Sequence, residues 1–401
     1  MNAVSGARPS QGRPTQSTLT HRHLLLLGWM FYIVLPFAAG LTGLLDDLPG
    51  AAPYADYFGM QSPWWAALLL YAALMPPTYL AGAKLSGWLA LPRIPNLPVQ
   101  PLNWALLPLY SALFIAFAFN AREFLFTGYI LGVDSSVVGP LATLEIILLF
   151  HALLCAAAGL RILLVAFGVL LLLCSLLLLG MGGRLYVVTA LVGIYFYWWN
   201  WVAKSRAARW RSVGFALLAV VGLVVLGMYR VGEADFDQFA FYFLAEPMYT
   251  GISGVSLVLN GSWSLVDTPR DFFSGFINLV PASIWAGKAD YLVSLLDTNL
   301  DLESPFGALS IVASTIGNFG YLGGLVFIAF VGFVLGWSGM NAKTPLGRAL
   351  HCVLASMLPF MFFRDPFQVQ VKVVLTAFLL VALHTLVSKK RARRRIHAAP
   401  A

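Results

Sequence analysis

Charge is the scarcest thing in this chain of 401 residues: Asp, Glu, Lys and Arg together make 10% of it, while 60% is hydrophobic. A soluble domain needs far more polar surface than that, so the composition excludes a water-soluble fold and fits a polytopic membrane protein. Cysteine is nearly missing too. Cys155, Cys174 and Cys352 all lie inside apolar runs with no CxxC or Cys/His spacing, which excludes a disulfide framework and a thiolate metal site and leaves small core hydrophobes. There is no P-loop, GxSxG or HExxH, so neither a metal nor a nucleotide site is expected and no cofactor is implied.

What is present is a series of long apolar runs. They fall at about 24–44, 64–83, 103–119, 139–157, 161–179, 185–203, 212–229, 309–337, 347–363 and 367–388, and each reaches the length of a bilayer-crossing helix. The expected fold is therefore an all-α integral membrane protein of about ten transmembrane helices. It divides into a disordered tail at 1–23, spans one to seven over 24–229, one large loop at 230–305, spans eight to ten over 306–388, and a basic tail at 389–401.

The net charge of +8 belongs to topology and not to nucleic acid, because the cations cluster at span ends. With both termini cytoplasmic, 18 of the 25 Lys and Arg residues fall on the cytoplasmic side and no acid does, leaving the 230–305 loop periplasmic. The eighth run, Leu309 to Trp337, exceeds one span and is interrupted by Gly317, Gly320, Gly323 and Gly324. It reads as a long tilted helix or as a broken segment whose backbone other parts of the protein must satisfy.

The exceptions to the charge bias carry the most information. Arg122, Arg184, Arg230, Arg270, Lys288 and Arg364 face outward, and Lys372 lies deeper in the last span. Arg184 follows Gly180-Met181-Gly182-Gly183, a turn whose backbone N–H groups and helix dipole suit an anion; a snorkelling arginine is the plainer alternative. Arg364-Asp365-Pro366 marks the start of the last helix, with Asp365 as N-cap; Gln368 and Lys372 then share a face with Arg364. Lys372 faces a cavity or pairs with Glu145. The loop holds ten of the seventeen acids, among them Glu246 in the aromatic segment 236–254, which reads as an interfacial helix. Glu246 is a candidate base or ion-pair partner. All six histidines fall at cytoplasmic positions, so outward chemistry has no histidine base.

From Gly180 to the end of the last span the chain resembles the O-antigen polymerase (Wzy-type) family. The matching features are GMGGR at 180–184, FYFLAEPMYTG at 241–251, LVPASIWAGK at 279–288, SPFGALSIVASTIGNFGYLGG at 304–324 and the late Arg364. The resemblance implies a GT-C-like polymerase/ligase bundle in the bacterial inner membrane. It implies a glycosyltransferase that polymerises undecaprenyl-pyrophosphate-linked repeat units at the periplasmic face. The partners it implies are the lipid-linked donor and acceptor, membrane lipids and, as candidates, a chain-length regulator and a flippase. Arg184, Arg230, Arg364 and Glu246 are then the expected catalytic set, and Arg270, Lys288, Lys372, Arg122 and Asn318 the expected substrate-binding set. O-antigen ligase is the nearest alternative, though its family pattern includes a loop histidine that is missing here. A flippase or transporter is the other, and no internal repeat supports it.

Overall fold

The computed structural model describes residues 18–48, 51–59, 64–125, 135–231, 239–260, 264–280, 284–293, 295 and 303–398. A backbone inside a bilayer has no water to bond, so apolar runs of this length become helices. Among the described residues nine helices are long and apolar enough to cross a membrane. They are α1 (His21–Leu41, with a π-helical turn at Met30–Val34), α2 (Trp64–Trp88), α3 (Gln100–Ala121), α4 (Ser135–Ala158), α5 (Arg161–Met181), α6 (Arg184–Tyr197, prolonged by a π-turn), α7 (Arg206–Val231), α10 (Ile311–Asn341) and α13 (Phe367–Ala398). Between α7 and α10 lie α8 (Phe239–Asn260) and α9 (Arg270–Ile277). Between α10 and α13 lie α11 (Pro345–Ser356) and α12 (Met361–Arg364). Apolar side chains point outward on the peripheral helices, Ile162 and Leu172 on α5 and Phe215 and Leu218 on α7 among them, where lipid tails would meet them.

The expected ninth span, 347–363, is a correction: it is not one helix. α11 starts at Pro345, capped by Thr344 Oγ1 accepting from Gly347 N at 3.0 Å, and ends at Ser356. The chain then turns through Phe360 (φ −133°, ψ −68°) into the single turn of α12. Its two ends nevertheless lie on opposite faces of the bundle. Thr344 N bonds Asn341 O at the end of α10, while Arg364 O accepts from Leu309 N, just before α10 begins. The interrupted segment thus runs alongside α10 from end to end, although neither of its helices is one of the nine. Burial lets it break: nearly every residue from Leu346 to Phe363 is inside the protein, and Gln370 Nε2 supplies bonds to the carbonyls of Met361, Phe362 and Asp365 at 3.4, 3.3 and 2.6 Å.

α10 is also interrupted, which decides between the tilted and broken readings in favour of the break. Ser310 Oγ caps its start by accepting from Ala313 N, but Gly320 sits at φ +73°, outside helical geometry. The freed backbone pairs with a piece of the loop: Tyr321 N donates to Ser264 O at 3.1 Å, Leu322 N to Leu265 O at 3.0 Å, and Asp267 N to Phe319 O at 3.1 Å. Only glycine fits, because a Cβ on residue 320 would stand 2.6 Å from the Leu265 carbonyl carbon.

Below the break, α10 and α2 approach to backbone contact through small residues. A Cβ on Gly82 would lie 1.8 Å from Ala329 O, and one on Gly332 would lie 2.1 Å from Tyr79 O. Gly332 and Gly336 form a small-xxx-small ridge of the kind that draws membrane helices together.

The 236–254 segment is a second correction. Residues 236–238 lie outside the described residues, and from Phe239 onward the chain forms α8, which is inserted into the bundle instead of lying on its surface. Met248, Thr250, Ile252, Ser253 and Val255 are buried, with Phe243 against Phe31 of α1 and Gly251 against Phe58. Ser253 Oγ accepts from Ser310 N at 2.8 Å, joining α8 to the start of α10. The basic tail is helical, since α13 continues to Ala398.

Gly332→Leu should force α2 and α10 apart and lower the thermal midpoint in detergent by the equivalent of about 2 kcal/mol or more. Gly168→Leu, at a position with open space around it, should leave the midpoint unchanged. Equal effects from both substitutions would contradict the close crossing.

Candidate functional site

The break before α13 places Arg364 where three helices meet. Asp365 is extended (φ −92°, ψ 148°), so the Arg364 side chain leaves the helical path and reaches α8. Its Nε donates to Glu246 Oε1 and its Nη1 to Asp365 Oδ1 at 3.2 Å. One guanidinium therefore carries two carboxylates, a fork arrangement that arginine can satisfy and lysine cannot. The three differ in access: Arg364 is 24% and Glu246 39% exposed, whereas Asp365 is 9% exposed. Burial pushes the Asp365 carboxyl up to about 6, against the opposing pull of Arg364. Tyr32 of α1 and Tyr186 of α6 stand in electrostatic range of Arg364 and Asp365, and Tyr32 stacks on Phe363 at 6.1 Å.

This geometry corrects the expected start of the last helix. Asp365 is not its N-cap, because the carboxylate is taken by Arg364, and α13 begins at Phe367. The helical face shared by Arg364, Gln368 and Lys372 does not exist, since Arg364 belongs to the preceding segment. Gln370, which no sequence signal marked, fixes the junction from below.

Arg184 opens α6, two residues before Tyr186. Its guanidinium lies in a notch on α7 made by Gly227, where a Cβ would sit against Nη1. Among the described residues no acid comes within ion-pair reach of it. The glycine turn before it is no anion cradle, however. Gly182 N donates to Leu179 O at 3.2 Å, Gly183 N to Leu178 O at 2.7 Å and Arg184 N to Gly182 O at 2.8 Å, so these amides close off α5 instead. Any affinity for anions there rests on the Arg184 side chain.

The other expected site residues are dispersed. Arg122 is exposed, paired with Glu123 at 3.6 Å and lying over the Phe119 ring at 3.9 Å. Arg270 is exposed at the start of α9. Arg230 falls in α7, its side chain outside the described residues. Asn318 is buried, and its amide is spent on α9: Oδ1 accepts from Phe272 N at 3.1 Å, and Nδ2 donates to Ser314 O at 2.9 Å and Asp271 Oδ2 at 3.5 Å. Asn318 is therefore a positioning residue that locks α9 onto α10. Lys372 is half-buried on α13 and does not pair with Glu145, whose carboxylate accepts from Ser175 Oγ at 2.6 Å. Lys288 donates to Asn278 Oδ1 at 3.3 Å and Val280 O at 2.9 Å, and burial lowers its pKa.

The histidines stay away from this end. His21 bonds Tyr79 near the start of α1, His351 bonds Ser338, and His151 lies beside His384 with Asn103. No group of three or more His, Cys, Asp or Glu that could hold a metal ion occurs among the described residues. No protein-family model, curated protein or solved structure matches the chain.

The Asp365 geometry sets a pH dependence. Its folded-state value lies above the ordinary 3.8, so the stability it contributes is complete below about pH 4 and is lost as pH rises through about 6. The thermal midpoint of the protein should accordingly fall relative to Asp365→Asn between pH 4 and pH 7. A gap that is constant, or that closes the other way, would mean that Arg364 holds the carboxylate ionised throughout.

Proposed function

We propose that the chain is a glycosyltransferase of the bacterial inner membrane that polymerises undecaprenyl-pyrophosphate-linked repeat units on the periplasmic side, using the Arg364 end of the bundle. The observation that carries this reading is a half-buried arginine, turned out of the helical path by a helix break and tied to a carboxylate that is more exposed than itself. A charge kept there at the expense of desolvation is a functional feature by default. The charge bias of the chain supports placing this end outside the cytoplasm, because the clustered cations lie at the opposite ends of the helices.

In this reading the acceptor sugar hydroxyl oxygen attacks the anomeric carbon of the donor glycan. The bond from that carbon to the phosphate oxygen breaks, and the electron pair leaves with the lipid pyrophosphate. Arg364 neutralises the charge that develops on that oxygen, with Arg184 as the second cation on the same end. In the resting state Arg364 is fully compensated, so the incoming pyrophosphate displaces Glu246. The exchange leaves the Glu246 carboxylate uncovered beside the reacting atoms, ready to take the acceptor proton. A leaving group of this quality needs little further base catalysis, which fits a site without histidine.

Purified protein in liposomes supplied with lipid-linked repeat units should produce a ladder of longer glycans. Its absence, under conditions where a known polymerase works, would end the enzyme reading. Arg364→Ala and Arg184→Ala should each reduce long chains by about a hundredfold or more at normal protein levels. Unchanged chain length would remove those residues from the site.

A further inference from the structure

Two lysines from distant parts of the chain come together with no ion-pair partner among the described residues. Lys372 lies on α13, eight residues past Arg364 and beyond the helix break. Lys288 lies in the short 3-10 helix Ala286–Tyr291 of the loop. The packing of α9 brings them together. Gly275 of α9 fits against Val371, the residue before Lys372, so closely that a Cβ there would lie 2.6 Å from the valine Cβ. Just beyond the end of α9, Asn278 and Val280 accept from the Lys288 ammonium. Ser274 Oγ, also on α9, accepts from Val293 N at 2.9 Å and holds the loop down behind it. The two ammonium groups end up within electrostatic range of each other.

This arrangement costs free energy as it stands. Like charges repel, and both are partly removed from water. Yet the ion pairs among the described residues are Arg122–Glu123, Arg364–Glu246 and Arg364–Asp365, and none involves either lysine. Lys372 makes no hydrogen bond among the described residues, and Lys288 uses two of its three N–H donors. The Lys372 tip lies against Gly139 of α4, where a Cβ would stand 3.9 Å from Nζ. The pair is also distinct from the Arg364 cluster. Arg364 turns toward α8 ahead of the helix break, whereas Lys372 lies on α13 beyond it, beside the residue packed on α9.

We propose that Lys288 and Lys372 form a second anion site, one that holds the phosphates of a membrane-anchored ligand separately from Arg364. Membrane anchoring follows from position, since one lysine comes from a bilayer-crossing helix and the other from the loop that packs on it. Phosphate follows from the donors. Two compact ammonium groups without a planar fork suit a multiply charged oxyanion better than a carboxylate. If the polymerisation reading holds, the occupant is the pyrophosphate of the acceptor lipid. A reaction between two lipid-linked glycans presents two diphosphates at once, and the Arg364 end takes only the one that leaves. That assignment rests on the polymerase reading, whereas the anion site does not.

The test is a titration of the purified full-length protein, in nanodiscs of phosphatidylcholine, with inorganic pyrophosphate. The wild type should bind at two classes of site. Lys372→Met and Lys288→Gln should each weaken one class by tenfold or more and leave the other intact, while Lys372→Arg should retain both. Arg364→Gln should remove the complementary class. Nanodiscs containing phosphatidylglycerol form the second arm. Loss of the lysine-dependent class there would confirm the anion site and identify a phospholipid headgroup as its occupant. Persistence of that class would support a diphosphate lipid. If both lysine substitutions leave the number of sites and the affinities unchanged in protein of normal thermal midpoint, the proposal is overturned. Lysine-dependent binding by a protein that makes no glycan ladder would leave the anion site standing and sink the polymerase reading alone.

Discussion

Inside a bilayer every peptide group has to find its partner within the protein, and the structure is arranged around two places where a helix fails to provide one. At Gly320 the partner is the loop segment 264–267; at residues 357–364 it is the side chain of Gln370 and the surrounding packed core. Each interruption would be costly if it faced lipid. Buried, each becomes a fixed point that aims something else. The first anchors the loop and, through Asn318, seats α9. The second turns Arg364 out of the helical path and toward α8.

The electrostatics of the Arg364 end follow from that turn. Arg364 bonds two carboxylates at once, and burial raises Asp365 to about 6 against the pull of that guanidinium. Glu246 is the exchangeable partner because it stands closer to solvent. The same chemistry is not repeated at Lys288 and Lys372, where two cations meet with no acid in an ion pair among the described residues.

Composition and periodicity carried the fold a long way, because membrane length is a constraint that reads directly from hydropathy. Nine of the ten apolar runs are helices long and apolar enough to cross a membrane among the described residues, and the remaining run, 347–363, is not a continuous helix. What the runs could not reveal is continuity. Pro359 within 347–363 is compatible with a kinked helix as well as with a break, and the burial that permits the break comes from distant segments. The site was legible in part. Arg364 and Glu246 are unusual enough among apolar neighbours to be noticed singly, but 118 residues separate them and no local pattern pairs them. Asp365 was misread for a clear reason: Asp before Pro is a strong capping signal, and an adjacent arginine outcompeted the backbone for its carboxylate. Asn318 was expected as a ligand only through the resemblance, and its amide is used in holding α9. The reasoning for Arg184 failed at the backbone, since a glycine turn that ends one helix has already spent the amides that would begin an anion nest.

The pairing of residues 264–267 with the break in α10 bears on how the molecule is made. The first turns of α10 cannot reach their final form while that strip of loop is missing, because the groups exposed at Gly320 would then face the membrane interior unbonded. The loop strip lies earlier in the chain and is made first, so it is already present when α10 emerges. Insertion and folding are therefore coupled at this one helix in a fixed order, with the loop as its template. A chain whose loop is held back would carry an α10 that has entered the bilayer but has not finished folding.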